Sequence, residues 1–201
     1  MKNLSLLLGM ALFLAFALPA NAQKLKMTKG DLKALKGEKS INTEFTYENM
    51  GVGKFKKEAE YVDKKVKEYN EKEKGRGDTW KEAWIADRQN RFEPQFNELF
   101  SKYAEMDAGD HPDAKYTLIF NTSFTEPGFN VGVMRKNAYI DGTATIVETA
   151  NRDKVVAVIS VDNSPGRSAG GYDFDTGERI SEAYAKAGKE LGKMVVKAAK
   201  K

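Results

Sequence analysis

Apolar and polar residues recur along the chain in patterns that predict a definite series of strands and helices. Residues 41–47 alternate strictly and are rich in β-formers, which predicts a half-buried strand. Residues 54–74 carry apolar side chains at spacings of three and four on a Lys/Glu background, as an amphipathic helix does. A second helical pattern covers residues 79–91 with Asp78 as its N-cap, and Pro94 predicts a helix that restarts there and continues to about residue 104.

Three more strands are predicted in the middle of the chain, at residues 116–124, 138–149 and 155–162. The turn at residues 150–153 favours an antiparallel hairpin between the second and third of them. Residues 155–162 are almost continuously apolar, and this pattern predicts an interior strand covered on both faces.

The C-terminal part of the chain predicts one long helix. Asp175 precedes Glu178 by three residues, the spacing of a capping box with Asp at the cap. An apolar stripe continues from there to Val195. Gly188 and Gly192 lie inside this helix, where glycine costs about 1 kcal/mol relative to alanine. We therefore expect both glycines to let the helix lie close to the sheet.

The predicted order is strand, helix, helix, three strands, helix. It indicates an α+β fold in which helices pack on a mixed four-stranded sheet. Residues 23–39 read as a lysine-rich lead-in with one helical turn between Gly30 and Gly37. No internal repeat or long linker divides residues 23–201, so a single domain is predicted.

The first 22 residues have the pattern of a secretory signal peptide. A short basic start precedes an apolar run at residues 4–18, and Ala20-Asn21-Ala22 is a small-x-small cleavage pattern. We expect cleavage after Ala22 and a periplasmic protein, with an uncleaved anchor as the alternative. No cysteine follows the apolar run, so a lipoprotein-type acylation is excluded.

Composition narrows the classes of function only slightly. The chain contains no cysteine, so no disulfide stabilises it. Without residues 1–22 it has 32 basic and 29 acidic residues, one lysine fewer than the 33 of the full chain, a net charge of +3. The small excess is dispersed, whereas nucleic-acid-binding proteins concentrate a basic face. We therefore predict no nucleic-acid partner and a solvated surface.

Two glycine-containing loops are the candidate binding sites. The first supplies a carboxylate, a turn and an exposed aromatic ring, and the second supplies a guanidinium and backbone N–H groups ahead of a helix. The candidate residues are Glu126, Gly128, Phe129, Gly132, Arg167, Gly170 and Gly171. Neither loop has phosphate-loop spacing, and the alternative interpretation is two turns whose glycines supply positive φ.

Other motifs have simpler structural explanations. Asp173 and Asp175 do not match the spacing of a calcium loop, so helix capping is favoured. His111 has no second histidine or cysteine with which to share a metal. Trp80 and Trp84 lie one helical turn apart and fit a core better than a sugar-binding platform. No cofactor and no metal are predicted.

Three segments carry a resemblance to known proteins: residues 126–132, residues 172–175 and residues 179–184. They resemble an uncharacterised family of small secreted proteins from Bacteroides-type bacteria. The element order also looks like the α/β domain of the curli-secretion lipoprotein and of the TolB amino-terminal region. This chain lacks the lipidation cysteine of the curli lipoprotein, and the resemblance implies no functional residues.

Three functional hypotheses remain open at this point. The first is a non-enzymatic periplasmic protein that binds an envelope partner through the loop end of its sheet. The second is a small-ligand domain that holds an anion or a sugar in a cavity between helix and sheet or in the second glycine loop. The third is a hydrolase that uses Glu126, Asp173 or Asp175 with His111.

Overall fold

The computed structural model describes residues 23–131, 134–166 and 175–200. Its strands and helices follow one another in a single series. They are β1 (Lys24–Gly30), a short 3₁₀ turn (Lys33–Leu35), β2 (Ser40–Thr46), β3 (Gly51–Val52), α1 (Glu58–Asn70), α2 (Arg76–Asp87), a π-helical turn (Arg88–Phe92), α3 (Glu93–Ala104), β4 (Asp107–Gly109), β5 (Tyr116–Glu126), β6 (Phe129–Asn130), β7 (Arg135–Lys136), β8 (Ala138–Glu148), β9 (Asn151–Gly166) and α4 (Thr176–Ala199).

The main sheet is mixed, as predicted, and the protein is of the α+β class. Its strand order is β1-β9-β8-β5-β2-β4, with β3 pairing beside the end of β5. The β5–β8, β8–β9 and β1–β9 pairs are antiparallel, whereas β2 runs parallel to β4 and β5. The described part of the sheet has seven strands instead of the predicted four, because β1, β3 and β4 were missed.

Strand β1 corrects the prediction of an irregular lead-in. Leu25 and Met27 are half-buried, whereas Lys24 and Lys26, which alternate with them, are exposed. The residues therefore alternate, but lysines on the outer face hide the pattern. Lysine on an edge strand hinders pairing with other chains, and β1 is an edge of the sheet. The predicted helical turn between Gly30 and Gly37 is present as the 3₁₀ turn.

The hairpin between β8 and β9 is antiparallel, as predicted, but its connection is shorter. Only Thr149 and Ala150 separate the two strands, since β9 begins at Asn151. Coverage of β9 on both faces was wrong. Ala157 and Ile159 are buried under helices, while Val158 on the opposite face is half-exposed. The neighbouring strands present polar side chains there, such as Thr143.

Helices α3 and α4 pack together over one face of the sheet, and aromatic rings fill the space between. Phe96 meets Phe45 edge-on at 5.2 Å and Phe120 at 5.0 Å between ring centroids. Tyr184 stacks on Phe92 at 5.1 Å. Large rings bury the most apolar area per residue, so this cluster contributes substantially to stability.

Gly188 and Gly192 serve close packing, although against α3 rather than against the sheet as predicted. A Cβ on Gly188 would lie 2.2 Å from the Phe96 carbonyl oxygen. A Cβ on Gly192 would lie 2.8 Å from the Phe100 carbonyl oxygen. The two helix backbones therefore touch at these positions.

The start of α2 also differs from prediction. Gly75 is the N-cap, with φ of +86°, and Asp78 lies in the first turn of the helix instead of capping it. The reason is that Asn70 at the end of α1 accepts a hydrogen bond from the Gly77 N–H at 2.7 Å, which starts α2 earlier. Among the described residues, no helix is both long and apolar enough to cross a bilayer.

Candidate functional site

A small hairpin projects beyond the end of β5 and β8. Its strands are β6 and β7, with Phe129 opposite Lys136 and Asn130 opposite Arg135. The Val131 N–H donates to the Met134 carbonyl oxygen at 3.0 Å. We call residues 129–136 the tip hairpin; of these, residues 132 and 133 lie outside the described part of the chain.

The tip hairpin carries most of the large exposed apolar side chains that the described residues show. Phe129 is 42% exposed, Val131 59% and Met134 61%. Outside the tip hairpin, the described residues include Ile85 on α2 at 44%. Single exposed apolar residues are ordinary, but a cluster of three on one projecting element is typical of an interaction surface.

Gly128 allows the chain to turn into the hairpin, and its conformation is specific to glycine. It has φ of +63°, in the left-handed region. A Cβ there would lie 2.4 Å from the Lys136 carbonyl oxygen. Gly128 therefore shapes the hairpin, and it also lines the cavity at the foot of the hairpin.

Glu126 also holds the base of the hairpin. Its side chain is 8% exposed in the described structure. Oε1 accepts a hydrogen bond from the Gly128 N–H at 3.1 Å, and the Lys136 ammonium donates to Oε2 at 2.5 Å. The carboxylate thus joins both ends of the tip hairpin and is occupied by these contacts. Among the residues predicted for this loop, Glu126 positions the exposed surface and Phe129 belongs to that surface.

Arg179 fixes the same base from α4, a role that the sequence did not reveal. It is 2% exposed. Its Nε donates to the Pro127 carbonyl oxygen at 3.2 Å, and one Nη donates to the Gly128 carbonyl oxygen at 3.4 Å. The same Nη donates to Thr176 Oγ1 at 3.0 Å. A buried guanidinium with these partners locks the turn onto the first turns of the helix.

An open cavity of about 310 Å³ lies at the foot of the tip hairpin. Its lining combines aromatic and basic side chains from α1 and the segment before it with the turn at residues 126–129; they include Lys54, Phe55, Tyr61, Lys64 and Lys65. The Lys54 and Lys64 ammonium groups lie 5.6 and 5.9 Å from the centre of the Phe55 ring. The apolar tip therefore stands beside a basic, aromatic surface.

The remaining candidate residues are not joined to this site by the described structure. Gly132, Arg167, Gly170 and Gly171 lie outside the described residues, as does Asp173. His111 follows β4, where its Nε2 lies 3.2 Å from Asp107 Oδ2. Asp175 caps α4, accepting from the Glu178 N–H at 2.9 Å, and pairs with Arg91 at 3.0 Å.

Two of the acidic residues of the hydrolase hypothesis have local structural partners, whereas Asp173 lies outside the described residues. Glu126 holds the hairpin base and Asp175 caps a helix. The part of the chain that the structure describes brings together no group of three or more His, Asp and Glu side chains that could bind a metal ion.

Val131, Met134 and Arg179 are the residues of this site that sequence reasoning missed. Val131 and Met134 lie in an apolar stretch flanked by glycine and basic residues. An apolar stretch within a predicted loop was the feature that could have identified them from the sequence. Arg179 gave no signal, because its partners are backbone carbonyl oxygens 51 and 52 residues away.

Comparison with known proteins leaves the family open. No protein-family model matches the chain, and no curated protein matches it. Among solved structures, the chain is similar to the PelC dodecamer from Paraburkholderia phytofirmans, with 12% identity, a TM-score of 0.38, and coverage of 82% of this chain and 96% of that one. A variant of the same dodecamer gives 11% identity, a TM-score of 0.37 and coverage of 82% and 97%. Scores this low carry no conclusion about fold or function.

Proposed function

We propose that this chain is an exported, non-enzymatic protein that binds a protein partner in the cell envelope through the tip hairpin. The observation that supports the proposal most directly is the cluster of Phe129, Val131 and Met134, each more than 40% exposed at the end of a projecting hairpin. Exposing apolar area to water is unfavourable, so a clustered patch is best explained by a partner that covers it.

The base of the hairpin supports a binding role because it is ordered by buried contacts. Glu126 and Arg179 hold the turn through backbone groups of Pro127 and Gly128. A surface held in its binding conformation loses less conformational entropy when a partner binds. An aromatic residue and a methionine are also types enriched at interfaces.

The charges around the tip indicate the chemistry of the partner. Arg135 and Lys136 are exposed on β7, where the Lys136 ammonium pairs with Glu126. Lys54 and Lys64 line the cavity at the foot of the tip hairpin, where Lys64 pairs with Glu68 at 3.4 Å. Basic side chains therefore outnumber the carboxylates around the tip. A complementary surface would offer an apolar pocket with an acidic rim. An acidic rim on the partner would increase the association rate and fix the orientation of the two proteins more than it would increase their affinity.

Export is the second component of the proposal. It rests on the basic start, the apolar run at residues 4–18 and the Ala20-Asn21-Ala22 pattern. The periplasm is the compartment we propose, since a cysteine-free exported domain needs no oxidising folding catalyst. The resemblance to small secreted proteins of Bacteroides-type bacteria agrees with this proposal.

Site-specific photo-crosslinking in cells tests the partner. A benzophenone amino acid is placed at Val131, and the same amino acid is placed at Ile85 as the matched control. Both positions are exposed and apolar, but Ile85 lies on α2. We expect a discrete envelope protein to be crosslinked from position 131 and not from position 85.

Serine substitution then tests whether the apolar surface carries the interaction. The variant Phe129→Ser, Val131→Ser and Met134→Ser should lose at least about tenfold in affinity for the crosslinked protein, because anchors of this kind carry most of an interface's binding energy. Its melting temperature should match that of the unsubstituted protein, since all three side chains are exposed. Identical crosslinks from positions 131 and 85, or undiminished binding by the triple variant, would contradict the proposal.

A further inference from the structure

A second surface lies along the opposite half of α4, in the groove between this helix and the edge strand β1. The groove has a volume of about 760 Å³, which falls within the range of small-molecule sites, about 300–1,000 Å³. Its lining residues come from β1, α4 and two intervening segments. They are Gln23, Leu25, Met27, Leu32, Pro165, Lys186, Glu190, Met194, Lys197 and Ala198.

The walls of the groove are apolar and incompletely covered. Leu25 and Met27 on β1 face Met194 and Ala198 on α4, and all four side chains are half-buried. Leu32 is fully buried beneath them. Methionine adapts its shape to what it contacts, so two methionines suit a flexible hydrocarbon chain. The helix residues span positions 186 to 198, a length of about 18 Å at the α-helical rise.

A stripe of lysines borders the groove along α4. The stripe consists of Lys186, Lys189, Lys193, Lys197 and Lys200, at spacings of three, four, four and three residues. Such spacings place them on one side of the helix. Glu190 pairs with two members of the stripe, Lys186 at 3.1 Å and Lys193 at 2.9 Å. Lysines therefore outnumber the carboxylate, and the border of the groove is positive.

Three lysines of the stripe line a second cavity beside Tyr103 of α3. This cavity of about 380 Å³ is lined by Tyr103 together with Lys193, Val196, Lys197 and Lys200. The Lys189 and Lys193 ammonium groups lie 4.9 and 5.5 Å from the centre of the Tyr103 ring. Lys189, which hydrogen-bonds to the tyrosine hydroxyl, lowers the pKa of Tyr103 with help from the other lysines nearby. Lys197 lines both cavities and thus joins the apolar groove to this basic surface.

We propose that the groove binds a single-chain anionic amphiphile of the fatty-acid carboxylate class. The hydrocarbon chain lies between β1 and α4, against Met27 and Met194, and the anionic head group lies beside Lys197. The groove complements such a ligand in polarity and in charge. Its apolar walls can contact the hydrocarbon chain, and the lysines at its border can pair with the anionic head group. A cavity between helix and sheet is also what the small-ligand hypothesis required, but its apolar walls fit a hydrocarbon chain better than a sugar.

This site is separate from the tip hairpin. Arg179, which holds the hairpin base, and Lys197 are 18 residues apart on α4, about 27 Å at the α-helical rise. The two proposals can therefore fail independently, since substitutions at one surface leave the other intact.

A second copy of the chain suits the groove less well than an amphiphile. The outer edge of β1 carries Lys24, Lys26 and Lys29, all exposed, and like-charged edges resist strand pairing between copies.

The apolar residues 4–18 are the third occupant to be tested, because Gln23, which follows them in the chain, lines the groove. The experiment distinguishes these occupants.

Calorimetric titration of the purified protein with octanoate, decanoate and dodecanoate, each below its micelle concentration, tests the proposal. We expect one site per chain and about fourfold tighter binding for each added methylene, since every buried methylene strengthens binding by a similar factor. Lys197→Glu should weaken dodecanoate binding at least about fivefold. Lys81→Glu on α2 makes the same charge change at an exposed lysine away from the groove and should leave binding unchanged.

Met194→Glu places a carboxylate in the groove wall and should abolish binding. Met194 is half-buried, so the melting temperature of the Met194→Glu protein is compared with that of the unsubstituted protein. Lys197→Glu tests the site without changing an apolar residue of the groove. Several outcomes would overturn the proposal: no binding at any chain length, equal effects of Lys197→Glu and Lys81→Glu, or binding only to phosphatidylglycerol vesicles. Dimerisation that Met194→Glu abolishes would also overturn the proposal. Binding of a peptide of residues 4–18, when the carboxylates do not bind, would overturn it as well.

Discussion

At the scale of single residues, Arg179, Glu126 and Tyr184 are buried side chains whose polar groups join neighbouring elements. Arg179 and Glu126 both bind backbone groups at the base of the tip hairpin. Tyr184, 1% exposed, shares a hydrogen bond of 2.6 Å with Thr122 of β5. Burial raises the pKa of Tyr184, because the phenolate would lose its hydration. The hydroxyl is thus retained in the core by its partner.

The Tyr184–Thr122 hydrogen bond gives a prediction about stability. Tyr184→Phe should lower the free energy of unfolding by about 1–2 kcal/mol, because it leaves the buried Thr122 hydroxyl without this partner. In a Thr122→Val background the same substitution should cost much less, since both polar partners are then absent. Urea unfolding of the four proteins measures the coupling. Tyr139→Phe, at a half-exposed ring on β8, is the control and should change stability by less than about 0.5 kcal/mol. Equal costs of Tyr184→Phe in both backgrounds would show that the bond contributes nothing.

At the scale of elements, the close contact of α3 and α4 gives a prediction whose sign is diagnostic. Replacing an exposed glycine in a helix by alanine normally stabilises by about 1 kcal/mol. At Gly188 the added Cβ would lie 2.2 Å from a backbone oxygen of α3, and no side-chain rotation can move that oxygen. We therefore expect Gly188→Ala to destabilise the protein by about 1–3 kcal/mol. The midpoint of thermal or urea unfolding measures the change. An unchanged or higher midpoint would mean that the two helices can separate without cost.

The elements that could be predicted from sequence are those whose own pattern is long and periodic. β5, β8 and α4 were found because their apolar positions repeat over 11, 11 and 24 residues. β3 and β4 have two and three residues, so their neighbours in the sheet decide their conformation. The contact of Gly188 with α3 was assigned to the sheet, because a small residue indicates close packing without naming the partner.

The candidate site was predictable to a similar extent. Phe129 was identified as an exposed ring after a turn, and it is 42% exposed. The positions of Val131 and Met134 depend on the pairing of β6 with β7. Each of these strands has only two residues, and a pattern this short cannot be detected in the sequence. The hypothesis of a ligand cavity between helix and sheet could not name the residues of the groove beside β1, because the groove exists only where α4 and β1 are brought together across the fold.

At the scale of the whole molecule, the proposed binding of an envelope partner requires the protein to reach the cell envelope, and the N-terminal residues test this requirement. Signal peptidases accept small side chains at the first and third positions before the cleaved bond, which here are Ala22 and Ala20. Intact-mass measurement of the protein recovered from the periplasmic fraction should therefore give residues 23–201. Ala22→Phe should block cleavage, so that the full chain of 201 residues is retained with the membrane fraction. Asn21→Phe changes the position between the two alanines and should be cleaved normally. Absence of the protein from the periplasmic fraction would contradict export. A full-length mass, or normal cleavage of Ala22→Phe, would contradict cleavage after Ala22.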